Sequence, residues 1–302
     1  YSTVYAHLQK FEATIQDFVK QSQYKKERYE IELFPKESSL LVKKGDLICF
    51  KTGDKFISTN NDFYMSYSNF AKDVTAGETV LIDDGKLIFE IISTNQKDFV
   101  QAKAMLDGVI RSNKGVNLPN TIISLPALTD KDKADAIFAI SQQVDWIALS
   151  FVRNSQDLIE LNTLINKHSD VKIPVIAKIE KPEAVQAIDE IIQNCDGLMV
   201  ARGDLGIEVP CEQVPLIQKK LVLKAKKNRI PIIIATQMME SMMDSLTPSR
   251  AEVNDVANSI IDGADAVMLS GETSVGKFPV EVIQQISKII ESVEYSSLIS
   301  VS

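Results

Sequence analysis

The sequence is poor in the residues that build disulfide frameworks and histidine-centred sites. It contains 3 cysteines and 2 histidines in 302 residues. An odd number of cysteines without metal-site spacing indicates reduced thiols, a pattern typical of a cytoplasmic protein. The histidines, His7 and His168, fall in polar, helix-like stretches and not at the ends of strand-like runs. We therefore expect neither a disulfide scaffold nor histidine chemistry.

Long apolar runs and an excess of positive charge are also missing. No apolar run approaches the roughly 18 residues that span a bilayer, and we expect no signal peptide. The chain carries 33 lysines and arginines against 41 aspartates and glutamates, a net charge of −8. An acidic balance disfavours nucleic acid and anionic membranes as partners. With 45% hydrophobic residues, the chain has enough apolar material for a core in one or two domains.

The first 117 residues contain two different patterns of apolar residues. Between residues 5 and 19, apolar side chains recur at helical spacing, which predicts an amphipathic helix within residues 1–28. Residues 29–117 carry short alternating apolar runs, separated by turn sequences such as Asp83-Asp84-Gly85. This pattern predicts a small all-β domain without helices. The predicted strands are 29–34, 46–50, 79–82, 86–92 and 99–104.

From residue 118 onward, strand-like and helix-like segments alternate. Each strand-like run is short, apolar and followed by polar residues, which is typical of a β/α barrel with functional side chains at the carboxyl ends of its strands. The predicted strands are 146–151, 175–179, 197–201, 232–235 and 266–269. The predicted helices are 130–143, 155–167, 182–193, 216–227, 250–262 and 279–292. Thr129 or Asp130 is the candidate N-cap of the first helix, and Asn154 or Ser155 that of the second.

Charged residues follow two neighbouring strands within residues 173–210. The first strand ends at Lys178 and Glu180, and Asp204 follows the second. Because the carboxyl ends of parallel strands lie on the same side, we expect Glu180 and Asp204 to converge. Two carboxylates near an ammonium group suggest a hard divalent cation beside a phosphate or another anion. Solvated rim carboxylates and an ordinary ion pair are the alternatives.

Several segments closely resemble pyruvate kinases, and the resemblance runs with little interruption from about Lys114 to Tyr295. It implies an α/β fold, a TIM-type β/α barrel with an inserted small all-β lid domain. Residues 1–28 are then an N-terminal helix of the barrel domain, 29–117 the lid, and 118–302 the later strands of the catalytic barrel. The segments that carry the resemblance are KGVNLP (114–119), IPVIAKIE (173–180), MVARGDLGIEVP (199–210), ATQMMESMM (235–243), PSRAEVNDVAN (248–258) and DGADAVMLSGE (262–272).

The resemblance implies a glycolytic phosphotransferase. Such an enzyme moves a phosphoryl group from phosphoenolpyruvate to ADP and protonates the enolate, giving pyruvate and ATP. Glu180 and Asp204 match the family's magnesium ligands, and Lys178 matches the lysine that stabilises the transferring phosphoryl group. Gly203 and Asp204 precede a short helical turn, so we expect their backbone N–H groups to receive the substrate carboxylate.

Further residues match positions around the enolate and the nucleotide. Thr236 matches the threonine beside the substrate, near the place where a proton reaches the enolate. Ser270 and Glu272 match residues of that proton network. In the lid, Asp84 and Lys114 match positions that approach the nucleotide-bound metal and phosphates. The resemblance also implies a cytoplasmic homo-oligomer.

Parts of the family's pattern are not found in the sequence. Only five of the eight strands of a β/α barrel are evident. The family's phosphate-binding arginine, its potassium ligands and its C-terminal domain have no counterpart, so potassium is a candidate cofactor without identified ligands. The sequence is then a piece of a longer protein, half of a barrel closed by another chain, or a degenerate member of the family.

Three functions are therefore open. The first is pyruvate kinase chemistry. The second is a catalytically impaired fragment or pseudoenzyme that binds magnesium and ligand or acts as an assembly partner. The third is a magnesium-dependent aldolase or lyase acting on pyruvate enolate, which the lid and the sequence AKIE (177–180) disfavour.

Overall fold

The computed structural model describes residues 30–32, 39–59, 61–83, 85–111, 114–119, 121–124, 126 and 128–296. The chain divides into two units, Tyr1–Val116 and Asn117–Ser302, which we call unit 1 and unit 2. The helix predicted within residues 1–28 lies outside the described residues. Among the residues described, no helix is both long and apolar enough to cross a membrane.

Unit 1 is a β domain, as the alternating runs predict. Its strands are β1 (Glu30–Glu32), β2 (Ser39–Val42), β3 (Leu47–Lys51), β4 (Asp62–Met65), β5 (Thr79–Ile82), β6 (Leu87–Thr94), β7 (Phe99–Ala104), β8 (Gly108–Arg111) and β9 (Lys114–Asn117, whose last residue belongs to unit 2). Seven of them close into a barrel in the order β1-β4-β3-β7-β6-β5-β9, and β1 pairs antiparallel with β9. The remaining two, β2 and β8, form a separate antiparallel sheet.

Aromatic side chains form the centre of the unit 1 core. Alternate residues of β3 are buried, and Phe50 is fully buried near its end. Its ring centroid lies 6.0 Å from that of Phe63 and 5.7 Å from those of Phe70 and Phe89, the last two edge to face. The period of two that predicts the strands is thus the period that packs this core.

The predicted content of unit 1 is incomplete in two respects. The prediction omits β2, β4, β8 and β9, each of four residues; their length alone is not the reason, since β5 is equally short and is predicted. The prediction of no helix is wrong for α1 (Phe70–Asp73). This single turn forms because Phe70 and Ala71 are buried, a tertiary contact that local pattern does not report.

Unit 2 confirms the predicted alternation of strands and helices. Its strands β10 (Ile147–Leu149), β11 (Val175–Ile179), β12 (Gly197–Ala201), β13 (Ile232–Ala235) and β14 (Ala266–Met268) form one parallel sheet in chain order. Within the described residues this sheet is open, with β10 and β14 at its edges. The helices are α2 (Asp130–Ser141), α3 (Ser155–His168), α4 (Pro182–Gln186), α5 (Ile188–Ile192), α6 (Arg202–Glu208), α7 (Val214–Asn228), α8 (Arg250–Asp262), α9 (Gly271–Ser274) and α10 (Pro279–Glu294).

Side-chain caps begin α2, α3 and α8, whereas the two longest helices, α7 and α10, begin without one. Thr129 caps α2 in a capping box with Asp132, and Asn154 caps α3 through the amides of its first turn. These two are the N-caps among the paired candidates. The predicted helix 182–193 is instead two helices, α4 and α5. Ala187 between them has φ −85° and ψ 11°; its N–H closes the first helix and its carbonyl begins the second.

The two faces of the unit 2 sheet have different environments. Alternate residues of β11, Val175, Ala177 and Ile179, are fully buried and belong to the core formed with the helices. Lys178 lies on the opposite face, where its register partner is Met199 of β12. The alternation of a strand therefore places a charged side chain on the face that the helices leave uncovered.

Candidate active site

Lys178 lies near the carboxyl end of β11 and contacts two polar groups. Its Nζ donates a hydrogen bond to Ser150 Oγ at 2.8 Å and lies 2.7 Å from Glu180 Oε1. Ser150 directly follows β10, so the contact joins the ends of two neighbouring strands. The lysine side chain is 19% exposed, and its ammonium group is therefore fixed in place but accessible.

Glu180 is a buried carboxylate with spare capacity for a cation. Its side chain is 1% exposed. The Phe151 N–H donates to Oε2 at 2.7 Å, and Oε1 has the Lys178 ammonium group as its partner, with no second donor among the described residues. Burial raises the pKa of Glu180, and the charge of Asp204 adds to this, while Lys178 and the Phe151 amide oppose it. Further positive charge would stabilise the ionised form.

The Phe151 amide reaches Glu180 because the chain turns sharply after β10. Phe151 has φ 55°, in the left-handed region, although it is not a glycine. The predicted strand 146–151 therefore ends early, at Leu149. The residues that would have continued the strand instead form a turn that supplies Ser150 Oγ to Lys178 and the Phe151 N–H to Glu180.

Asp204 and Gly203 lie in the first turn of α6, which begins at Arg202. The expectation that they precede a helical turn is wrong by two residues. The Gly203 N–H donates to Thr236 Oγ1 at 2.8 Å. A Cβ on Gly203 would lie 3.2 Å from the same oxygen, so glycine permits this close approach.

Thr236 follows β13 in an unusual backbone conformation. Thr236 has φ 72° and Gln237 has φ 54°, and each residue in this region costs about 1–3 kcal/mol when it is not glycine. The strain is greatest for a β-branched side chain such as threonine. Strain of this kind persists only where surrounding contacts impose it, and it is common at functional sites.

Glu272 and Ser270 connect two of the loops at this edge of the sheet. Glu272 is buried, and its carboxylate accepts hydrogen bonds from the N–H groups of Met239 at 3.3 Å and Ser270 at 2.8 Å. Met239 lies in the loop after β13 and Ser270 in the loop after β14. Glu272 therefore braces the Thr236 loop, whereas the Ser270 side chain is exposed.

The two predicted lid residues belong to unit 1. Lys114 Nζ lies 2.8 Å from Asp83 Oδ1, and Lys86 also pairs with Asp83. The hydrogen bond from Lys114 lowers the pKa of Asp83. Asp84 lies outside the described residues.

The carboxylates expected to bind a metal ion are those of Glu180 and Asp204. Within the described part of the chain, no group of three or more histidine, cysteine, aspartate or glutamate side chains is arranged to hold a metal. Glu180 and Asp204 would therefore supply two oxygen ligands, with the others from substrate and water, as hard cations such as Mg²⁺ accept. Glu180 Oε1, which has only the Lys178 ammonium group as a partner among the described residues, fits this interpretation.

The sequence analysis did not identify the residues that support the predicted site residues through hydrogen bonds and ion pairs. Ser150, the Phe151 amide, Arg202 and Asp255 were not predicted as site residues. Ser150 and Arg202 had a signal, since each is a polar residue directly after a strand. Asp255 had none, because it lies 53 positions from Arg202, with which it pairs.

Comparisons with known proteins agree on one family. The family model described as pyruvate kinase, barrel domain, matches residues 25–283. Pyruvate kinase 2 of Synechocystis sp. is 50% identical over 236 residues, covering 78% of this chain and 40% of the relative. The pyruvate kinase of Corynebacterium efficiens is 46% identical over 259 residues, covering 86% of this chain and 54% of the relative.

A solved structure extends this likeness to three dimensions. A pyruvate kinase from Cryptosporidium parvum matches with a TM-score of 0.84 at 36% identity, over 88% of this chain and 55% of that chain. This chain spans about half the length of the relatives it matches. The predicted fold class, a β/α barrel of this family with an additional small β domain, is confirmed.

Proposed function

The chain belongs to the pyruvate kinase family, and on this premise we propose that it carries the phosphoryl-transfer core of a pyruvate kinase. The reaction moves a phosphoryl group from phosphoenolpyruvate to ADP and protonates the enolate to pyruvate. The observation that supports this most strongly is the group formed by Lys178, Glu180 and Asp204. A lysine 2.7 Å from a carboxylate whose pKa is raised by burial, and further by a second carboxylate, is an arrangement suited to a cation and a phosphate.

Glu180 and Asp204 are the residues that would hold Mg²⁺. Both are carboxylates that follow neighbouring parallel strands, and Glu180 Oε1 has no partner other than Lys178 among the described residues. When bound there, Mg²⁺ would polarise substrate oxygens and offset the charge of the transferring group. Potassium belongs in the assay because the family resemblance implies it.

Lys178 would stabilise the transferring phosphoryl group. Its ammonium group is oriented by Ser150 Oγ and projects from the sheet face that the helices leave uncovered. Catalysis of phosphoryl transfer depends on positioning and on charge stabilisation, which a fixed ammonium group supplies. Phosphate oxygens would replace Glu180 Oε1 as its partner.

Thr236 would act at the enolate. Because Thr236 Oγ1 accepts its hydrogen bond from the Gly203 N–H, the hydroxyl hydrogen remains available for donation. Glu272 would support this group from behind, through its bond to Met239 in the same loop, and Ser270 would be its exposed neighbour.

The lid residues would act on the nucleotide. Lys114 holds a carboxylate, Asp83, in the described structure, and a nucleotide phosphate has the charge to take the place of that carboxylate. Asp84 would approach the nucleotide-bound metal. Both roles come from the family resemblance, as do the cytoplasmic location and a homo-oligomeric state.

The direct test is a coupled assay of the 302-residue chain with phosphoenolpyruvate, ADP, Mg²⁺ and K⁺. The Lys178→Met variant is the control, since methionine keeps most of the length of lysine without the charge. We expect turnover that is lost in the variant. Circular dichroism establishes that both proteins are folded.

The contrary outcomes are distinct. Absence of turnover in a folded wild-type chain that still binds Mn²⁺ would overturn the enzymatic proposal and indicate a ligand-binding relative without catalysis. Turnover that persists in Lys178→Met would remove the lysine from the mechanism. Release of pyruvate from a substrate without a phosphoryl group would instead indicate an aldolase or a lyase.

A further inference from the structure

The Arg202 side chain joins three elements behind the Thr236 loop. Its side chain is 10% exposed. Nη1 lies 2.7 Å from both carboxylate oxygens of Asp255 on α8 and 3.5 Å from Gln218 Oε1 on α7. Nη2 donates to the carbonyl oxygens of Thr236 at 2.7 Å and Gln237 at 3.3 Å. One planar group thus ties two helices to the loop after β13.

The carbonyls that Arg202 holds belong to the two strained residues. Thr236 and Gln237 are consecutive and both have positive φ. Donation to both carbonyls fixes the orientation of the two peptide planes, and with them the backbone torsions of the turn. The geometry assigns to Arg202 a contact that maintains the left-handed conformation.

The same turn of helix controls the Thr236 side chain. Gly203, the residue after Arg202, donates its N–H to Thr236 Oγ1 at 2.8 Å. Arg202 therefore holds the backbone of Thr236 while its neighbour holds the hydroxyl. Both contacts require α6 and the loop after β13 to keep a fixed separation.

Asp255 is the group that orients Arg202. It is the anionic partner of a nearly buried guanidinium whose Nε has no hydrogen-bond partner among the described residues. Without this anion the guanidinium would lose its charged anchor on α8 and its two-sided geometry.

We propose that Arg202 and Asp255 are positioning residues that impose the strained turn at Thr236 and thereby aim its hydroxyl. The catalytic consequence rests on the proposed function, because it requires Thr236 to act at the enolate. The structural consequence, a fixed contact between Gly203 and Thr236 Oγ1, is independent of any activity and can be measured by itself.

The first experiment follows amide hydrogen exchange at Gly203 in the 302-residue chain. In Asp255→Asn, exchange at Gly203 should be about tenfold faster, because loss of the anchor releases the acceptor. Thr236→Val, which removes the acceptor, sets the size of the full effect. Asp255→Glu, which keeps the charge, should recover part of the protection.

Two controls distinguish a local loss of positioning at Thr236 from a general loss of amide protection. Asp262→Asn makes the same change on the same helix at a residue that pairs with Lys219, and it should leave Gly203 unchanged. The Leu198 amide, which bonds to Pro231 O at 2.9 Å between β12 and β13, should be unchanged in every variant. Equal acceleration at Leu198 and Gly203, or protected Gly203 in Asp255→Asn, would overturn the positioning role.

The second experiment tests the catalytic consequence. Exchange of the pyruvate methyl protons with solvent reports the enolate step without phosphoryl transfer. Asp255→Asn should slow this exchange about tenfold or more with unchanged Mn²⁺ affinity, since its effect is on orientation. If the wild-type chain is inactive but amide exchange at Gly203 responds to Asp255→Asn as expected, the proposed function is overturned and the positioning role of Arg202 and Asp255 stands. If the wild-type chain is active and the pyruvate methyl protons exchange at the same rate in Asp255→Asn, the catalytic consequence of the Arg202–Asp255 contact is overturned.

Discussion

Two lysine–glutamate ion pairs start three residues apart at the end of β11, and they differ in how completely they are satisfied. Lys178 Nζ and Glu180 Oε1 are 2.7 Å apart, as are Lys181 Nζ and Glu208 Oε1. The glutamate side chains are 1% and 2% exposed, respectively. Composition, distance and burial therefore do not distinguish the pairs.

The other contacts of the two glutamates distinguish the pairs. Glu208 Oε1 accepts hydrogen bonds from Lys181 Nζ and from Asn117 Nδ2 at 3.2 Å, so this pair is closed by neighbouring donors. Among the described residues Glu180 Oε1 has only Lys178 as a partner, and burial, with a further contribution from the charge of Asp204, raises the pKa of Glu180. An incomplete pair beside a second carboxylate is suited to an additional cation, whereas a complete pair stabilises the fold. We therefore propose that the pair with fewer partners, Lys178 and Glu180, is the one that binds the cation.

The largest difference is expected in turnover. Lys178→Met should lower kcat about 1,000-fold, because a fixed donor at the developing charge contributes on that order. Lys181→Met should keep kcat within about tenfold when measured at a temperature at which it is folded. Equal losses of kcat in both variants would contradict the distinction between the Lys178–Glu180 pair, called the open pair, and the Lys181–Glu208 pair, called the closed pair.

Stability should show the opposite order. Lys181→Met should lower the free energy of unfolding by about 3–5 kcal/mol, since Glu208 would remain buried without its partner. The double variant Lys181→Met/Glu208→Leu should recover most of that loss. Urea denaturation checks both values, and a double variant no more stable than the single one would contradict this account.

The pH dependence of stability and of Mn²⁺ binding should follow the ionisation of Glu180 in the open pair. A carboxyl pKa that is raised on folding means that the folded chain keeps its proton to higher pH than the unfolded chain. Ionisation of Glu180 therefore opposes folding as the pH rises from about its usual value of 4.5 through the raised pKa. Mn²⁺ binding requires the ionised form, so affinity should fall about tenfold per pH unit below the raised pKa.

A titration of Mn²⁺ affinity against pH measures this directly. Glu208→Gln, which changes the closed pair, serves as the matched control and should keep the pH profile of the wild-type chain. An affinity that is constant through the acid range would show that Glu180 is not a ligand.

The smallest effect is expected from an exposed pair. Lys219 and Asp262 form an ion pair in which the lysine side chain is 50% exposed and the aspartate side chain 16% exposed, so the pair is more exposed than the two lysine–glutamate pairs. Asp262→Asn should change the free energy of unfolding by less than about 1 kcal/mol, because solvent screens the charges. Thermal denaturation provides the measurement, and a loss as large as that of Lys181→Met would mean that burial does not determine the ranking.

Sequence patterns predicted the framework of unit 2 well for a physical reason. Strands β11, β12 and β13 have the predicted bounds because buried parallel strands are continuous apolar runs that end in charge. The same topology predicted that Glu180 and Asp204 converge, and the influence of Asp204 on the pKa of Glu180 agrees with that. The site assignments themselves stay predictions.

The rest depends on contacts between residues far apart in sequence. Phe151 and Thr236 have positive φ without being glycine, so no local signal marks the turns that they form. The Arg202–Asp255 contact arises from packing of α8 beside the loop after β13. The difference between Glu180 and Glu208 likewise depends on their third partners, which sequence spacing does not identify.

The most direct test of the central claim is Mn²⁺ binding by electron paramagnetic resonance, with Glu180→Gln and Glu208→Gln compared side by side. The two variants make the same chemical change in the two buried pairs. The account predicts that Glu180→Gln loses the bound ion while Glu208→Gln, where folded, retains it with the affinity of the wild-type chain. Binding that survives in Glu180→Gln would contradict the assignment of the open pair as the cation site.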